Sequence, residues 1–170
     1  MKDLMIDIET LDTLPTAAVI SIGAVYFDRK TGEIGDKFYA RIDFEDACRI
    51  GTTSEDTMDW WNSQEKSVRE EAFSGVELAK DVAFRFVDFC VDGVKPWGNG
   101  SVFDITIIEN WFRETGVKTP WFFWNVRDVR TAVDLFNINP KNYTRDGVHH
   151  NALDDCLFQI KYLCEGMKGE

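Results

Sequence analysis

The residues with chemistry to offer are mostly acids, and the first two stand where acids are least expected. The segment "MIDIETLDTLPTAAVISIGAVYFD", Met5 to Asp28, opens as a buried strand would, yet carries Asp7 and Glu9. Residues two apart on a strand share a face, so both carboxylates project together while Ile6 and Ile8 take the other side. A solvent-facing edge strand would explain the pair. The strand comes first, however, and a strongly apolar partner follows it, which points to an internal position. There, two like charges are costly unless a proton or a cation compensates. Further acids begin later elements. Asp104 falls in the first turn of a helix after "WGNG", a strand–turn–helix junction where ligand-facing residues occur in α/β folds. Its plain alternative is an acid that complements the helix dipole. Asp155 lies in the final helix with His150 five residues earlier. An ordinary helix-start histidine and a solvated helix face are the plain alternatives there. As an ordered set, these residues match what two divalent ions need: hard oxygen ligands shared between sites roughly 4 Å apart, with room for a phosphate.

The elements that must position them follow from periodicity. Leu4–Ile8 reads as a short strand and Ala18–Phe27 as a longer one rich in β-branched residues. Arg29–Glu33 is a turn, Asp36–Ile42 a third strand, and the short connections predict an antiparallel trio. "TSEDTMDWWNSQ" is helical, with Thr53 or Ser54 as N-cap. "SGVELAKDVAFRFVDFCVDG" continues helical, with Leu78, Val82, Phe86 and Phe89 at helical spacing and Gly93 as its stop. "VKPWGNG" is a brief strand, and Ser101 is expected to cap "VFDITIIENWFRETG". "WFFWNV" reads as a strand and "DVRTAVDLF" as a helix. A polar loop, "NINPKNYTRDGVHH", leads to a last helix near Asn151–Glu165. Strands first and helix–strand alternation later predict an α/β fold, a mixed sheet with helices packed on it. No repeat or linker interrupts the chain, so residues 1–170 are read as a single domain.

Composition sets the outer limits. An apolar share of 44% over 170 residues is that of an ordinary globular chain. No apolar run is long enough to cross a bilayer, and acids interrupt the N-terminus before any signal-peptide core, so a cytoplasmic protein is expected. Cys48, Cys90, Cys156 and Cys164 lack CxxC spacing, and with two histidines a structural zinc site is not indicated. "NGS" at Asn99 and "NYT" at Asn142 have the form of glycosylation acceptors, which matters only in a secreted chain. A net charge of −11 excludes a general duplex binder, which neutralises many phosphates with Lys and Arg. It leaves room for an enzyme that grips a few nucleotides through metal ions.

Three motifs together carry a resemblance: "DIET" with "AVISIGAVYFD", then "WGNGSVFD", then "HNALDD". In this order they resemble the DEDDh 3′–5′ exonucleases of the RNase H-like superfamily, closest to the branch of phage exonuclease A and the mycobacterial exoribonuclease RNase AS. The resemblance implies an RNase H-like fold. It implies two Mg²⁺ or Mn²⁺ ions held by Asp7, Glu9, Asp104 and Asp155, with His150 as general base. It further implies a single-stranded nucleic acid with a free 3′ end as substrate and nucleoside 5′-monophosphates as product. His149 and Asp154 adjoin the matched pair, so a shift of one residue would exchange roles. A tyrosine in place of the histidine marks the sister group, and Tyr143 lies too far upstream for that. In such enzymes the backbone beside the first motif receives the terminal ribose, the place of Thr10 and Leu11. Phe103 would contact a base or fill the core. Of Trp60 and Trp61, about 100° apart on a helix, one is expected to pack and the other to stack on a base. Arg145, with Arg127, Arg130 and Lys141, gathers before the histidine and is a candidate phosphate contact. Competing readings are an RNase H-like endonuclease and a catalytically silent nucleic-acid-binding module, the latter expected to have a broken acid set. A nucleotide phosphohydrolase would need a Walker-type glycine loop, which is missing. Related exonucleases are often homodimers, and the tryptophans would allow one here. RNA and DNA remain equally open.

Overall fold

The computed structural model describes residues 1–168. Five strands form one sheet. The first is β1 (Asp3–Thr10), followed by β2 (Val19–Phe27) and β3 (Ile34–Arg41). The other two are β4 (Lys95–Gly98) and a two-residue β5 (Arg127–Asp128), and the spatial order is β3-β2-β1-β4-β5. The expected antiparallel trio is present, and β4 and β5 add to it in parallel on the far side of β1. The strand with the two acids is therefore the centre of the sheet.

Helices cover both faces, which is why all of β2 is buried. On one side lie α1 (Phe44–Ile50), α2 (Glu55–Ser63), α3 (Lys66–Ala72), α4 (Ala79–Phe89) and α5 (Ser101–Thr115). They bury Leu4, Ile6 and Ile8 of β1 with Trp61, Phe86 and Phe112. On the other side α6 (Val129–Leu135) and α7 (Ala152–Met167) pack on Met5, Val25 and Phe27. Asp7 and Glu9 have the parity of Met5, so they continue the α7 face of β1.

Gly23 makes that packing close. It pairs with Asp7 across β1 and β2, and a Cβ there would lie 2.3 Å from the Ala152 carbonyl carbon. The missing side chain lets the first turn of α7 sit directly on the sheet. The free Cys156 thiol at that contact donates to the carbonyls of Met5 and Gly23.

Several expected elements differ. "WFFWNV" is not a strand. Phe123–Asn125 is a single 3₁₀ turn, and only Arg127 and Asp128, beyond Val126, join the sheet. The run has no alternation to bury, and Phe122, Phe123 and Trp124 are all exposed, with Phe122 and Trp124 stacked 4.6 Å apart. Ser101 does not cap α5. Gly100 takes that position at φ 103°, a left-handed backbone that a serine adopts only under strain. The fourth helix starts at Ala79, so Leu78 is its exposed N-cap rather than a core residue. The short helices α1 and α3 carried too few turns for a periodic signal. Among the described residues no helix is long and apolar enough to cross a membrane.

Candidate active site

The C-terminal end of β1 and the N-terminal ends of α5 and α7 meet at one point. Oxygens of Asp7, Glu9 and Asp155 lie within 4.8 Å of one another. Asp104, buried in the first turn of α5, is near enough to act electrostatically on Asp7 and Glu9. The four acids arrive from three elements: the pleat of β1 supplies two, and the starts of α5 and α7 supply the others.

Their crowding shows in their ionisation. Burial pushes Asp7 well above the usual carboxylate range, and the charges of Asp104, Glu9 and Asp155 push it further. Glu9 is pushed up to about 8 by burial and then by Asp155 and Asp104. Asp104 is pushed up to about 7 by burial, against the pull of backbone amides and the Arg130 guanidinium. Burial and mutual repulsion thus oppose full ionisation of Asp7, Glu9 and Asp104, and added positive charge would relieve it. The donor set is hard oxygen, buried and electron-rich, which fits divalent cations.

Two side chains outside the motifs hold the acids. Gln159 donates its Nε2 to Asp7 Oδ1 at 2.7 Å. It stands one helical turn beyond Asp155, so i,i+4 spacing was the available signal for it. Arg145 pairs with Asp155. The same nitrogen donates to the Val148 carbonyl at 3.0 Å, and the guanidinium lies over the Phe158 ring. Arg145 thus sits on a carboxylate rather than free in solvent.

The neighbours in the third motif separate. Asp155 joins the acids, while Asp154 turns away and accepts the Val148 amide at 2.8 Å. His149 is exposed. His150 is half-buried with φ 62°, just before the Asn151 N-cap of α7. Its ring meets Trp60 edge-on, with centroids 4.9 Å apart at 89°. Burial lowers the His150 pKa, with Asp155 pulling the other way.

A groove of about 710 Å³ opens beside the acids, and Glu9, Thr10, Trp60 and Phe103 contribute to its wall. Phe103 is 36% exposed, so it is not a core residue. The two tryptophans divide as their geometry requires. Trp61 is 1% exposed and donates Nε1 to the Thr10 carbonyl at 2.9 Å, whereas Trp60 is 41% exposed. Leu11 does not line the groove. It is fully buried, its amide donates to Ala18 and its carbonyl accepts from Ser54, so it anchors the start of α2 to the end of β1.

Comparisons with known proteins agree with this geometry. The family model of the 3′–5′ exoribonuclease Rv2179c-like domain matches residues 2–167. An exodeoxyribonuclease of Enterobacteria phage T4 is 27% identical, covering 95% of this chain and 88% of its own. Among solved structures, the nuclease domain of 3′hExo, a DEDDh family member bound to rAMP, superposes with a TM-score of 0.67 at 14% identity. That match covers 98% of this chain and 92% of the other. E. coli exonuclease I in complex with a dT13 oligonucleotide has a TM-score of 0.67 at 15% identity over 96% of this chain. This chain spans only 40% of exonuclease I. The mixed sheet with its helices is thus the RNase H-like fold of the DEDDh exonucleases, and the chain belongs to the Rv2179c-like 3′–5′ exoribonuclease domain family.

Proposed function

We propose that the protein is a divalent-cation-dependent exonuclease that removes nucleotides from the 3′ end of a single strand and releases nucleoside 5′-monophosphates. The convergence of four carboxylates from three elements carries this reading. The raised pKa values of Asp7, Glu9 and Asp104 mark a place built for added positive charge. Asp7, Glu9, Asp104 and Asp155 would hold two Mg²⁺ or Mn²⁺ ions. When bound, these supply charge neutralisation at a phosphodiester and Lewis-acid activation of a nucleophile.

The chain's own groups do the rest. The groove beside Glu9 accepts the 3′-terminal nucleoside, with Trp60 and Phe103 as apolar walls against which a base can stack. His150 takes the proton of the attacking water as the bond to the leaving 3′-oxygen breaks. Its lowered pKa keeps the imidazole neutral, and so able to accept a proton, at neutral pH. Gln159 holds Asp7 in a fixed rotamer through its hydrogen bond.

The deciding experiment is digestion of 3′- and 5′-labelled single-stranded RNA and DNA oligonucleotides with Mg²⁺, with Mn²⁺ and with EDTA. A 5′-labelled ladder shortening from its 3′ end, abolished by EDTA, is expected. Internal cuts would favour the endonuclease reading. Binding without cleavage under every condition would favour a silent module. The parallel RNA and DNA arms decide the sugar.

A further inference from the structure

A second cavity reaches the acids at Asp155, whereas the nucleoside groove reaches them at Glu9. It measures about 380 Å³, and its polar lining is Asn99, Arg130, Arg145, Asp155, Gln159 and Tyr162. The two spaces differ in charge. The groove has acids and no Lys, Arg or His in its wall, so it suits an uncharged nucleoside. The cavity carries two guanidinium groups against one carboxylate, an unusual local balance in a chain of net charge −11.

The polar groups of the cavity are not all spent within the protein. Arg130 donates its Nε to the Asn99 carbonyl at 3.0 Å, which leaves its outer nitrogens for a ligand. Gln159 is 4% exposed, its Nε2 is committed to Asp7, and its buried Oε1 has no partner among the described residues. Arg145 Nε is likewise a buried donor without a partner. Both residues line the cavity, so it holds an orphan donor and an orphan acceptor, and a sugar-phosphate offers partners for both. Guanidinium groups are the preferred partners of phosphate oxygens.

We infer that this cavity binds the phosphate one nucleotide in from the cleaved bond, with Arg130 as the principal contact. The inference rests on the exonuclease reading and adds the path of the strand: terminal nucleoside in the groove, scissile phosphate at the acids, next phosphate at Arg130. The seat is built from β4, α6 and α7. Gly100 helps form it, because a Cβ there would meet Arg130 Nε at 3.2 Å.

The test compares ApA with its 5′-phosphorylated form pApA, and the two deoxy counterparts. The pair differs only in the phosphate that the cavity would take. A charge-assisted hydrogen bond implies that the wild type prefers the phosphorylated dinucleotide by about 10–100-fold in kcat/KM. Arg130→Gln should bring that ratio close to one, and Arg130→Lys should retain part of it. On longer oligonucleotides, the dependence of log KM on log salt should be shallower in Arg130→Gln by about 0.7, the share of one single-strand phosphate. Each ratio is taken within one variant, so a general loss of folded enzyme does not mimic the effect. A wild type indifferent to the 5′-phosphate, or an Arg130→Gln variant that keeps the full preference, overturns the inference while leaving the exonuclease reading intact. A wild type that cleaves neither dinucleotides nor longer strands overturns both.

Discussion

The two halves of the carboxylate site are held by different means. Asp7, Glu9 and Asp104 stand on β1 and α5, whose backbones are fixed by the sheet and by the Ile6–Phe112 core. His150, Arg145 and the approach to Asp155 belong to the 144–150 turn, most of which is exposed. That turn is fastened by single polar contacts: Arg145 to Asp155 and Val148, Asp154 to the Val148 amide, and Lys161 to the Thr144 carbonyl and Asp146. The rigid half can hold like charges together against their repulsion because its packing outweighs them. The loop half lacks that reserve and depends on hydrogen bonds, as catalytic loops that order on substrate binding often do. Changes in the rigid half should alter charge and chemistry with the fold intact. Changes in the loop half should alter the placement of one histidine.

The largest effects belong to the rigid half. Asp7→Ala, Glu9→Ala and Asp104→Ala should each lower cleavage by several powers of ten, as should Asp155→Ala where the halves join. Calorimetric titration should show weaker Mn²⁺ binding in each, with circular dichroism unchanged. A variant that keeps wild-type activity removes its residue from the site. In the loop half, His150→Ala should cost roughly 10²–10⁴-fold, the range of general acid–base catalysis. Mn²⁺ binding should stay near wild type, and His149→Ala should do much less. The rate should begin to rise below the ordinary imidazole value of 6.5, since burial lowers the His150 pKa. If His149→Ala is the inactive variant instead, the roles in "HNALDD" shift by one residue.

A stability measurement probes the rigid half without catalysis. The folded-state values of Glu9, about 8, and Asp104, about 7, lie above their ordinary ones of 4.5 and 3.8. Raised carboxylates bind protons more tightly when folded, so their contribution is fully present at low pH. It is lost as pH climbs from about 4 to 8, where folding must hold them ionised. In EDTA, the melting temperature should therefore fall across that window, and Glu9→Gln should flatten the fall. Adding Mn²⁺ at a hundredfold excess over Kd should restore about 2.7 kcal/mol at the alkaline end. Superimposable melting curves with and without the ion would count against a metal site in the folded protein.

The rigid half was also the more legible in sequence. Strand parity alone puts Asp7 and Glu9 on one face, and a glycine turn before a helix marks Asp104. Both are local rules that the central position of β1 makes consequential. The contacts of Gly23 with Ala152 and of Gln159 with Asp7 join residues more than a hundred positions apart, and no local pattern encodes them. "WFFWNV" misled because its residues favour strands by type, whereas the sheet continues only through Arg127 and Asp128. Trp60 and Trp61 could be divided in principle but not assigned, since the choice depends on where the Thr10 carbonyl lies. Arg145 was legible as a cation near the histidine, but its pairing with Asp155 was not.

The smallest expected effect is the finest probe of the loop half. Asp154 is adjacent to Asp155 yet faces away from the acids and holds the Val148 amide. Gly147 makes room for it, since a Cβ at that residue would lie 2.6 Å from the Asp154 carboxyl carbon. Asp154→Ala deletes one hydrogen bond in an exposed turn, a loss of about 0.5–1.5 kcal/mol confined to that turn. The melting temperature should hardly move, because the 144–150 turn contributes little to either core. The rate should fall a few-fold, since His150 then samples positions away from the scissile phosphate. Mn²⁺ affinity should stay at the wild-type value, in contrast to Asp155→Ala. A total loss of activity together with lost Mn²⁺ binding would mean that Asp154 is itself a ligand and that the turn rearranges when cations bind. A wild-type rate would mean that Arg145 and Lys161 hold the turn without Asp154, and the contrast between the two halves would then rest on those two cations.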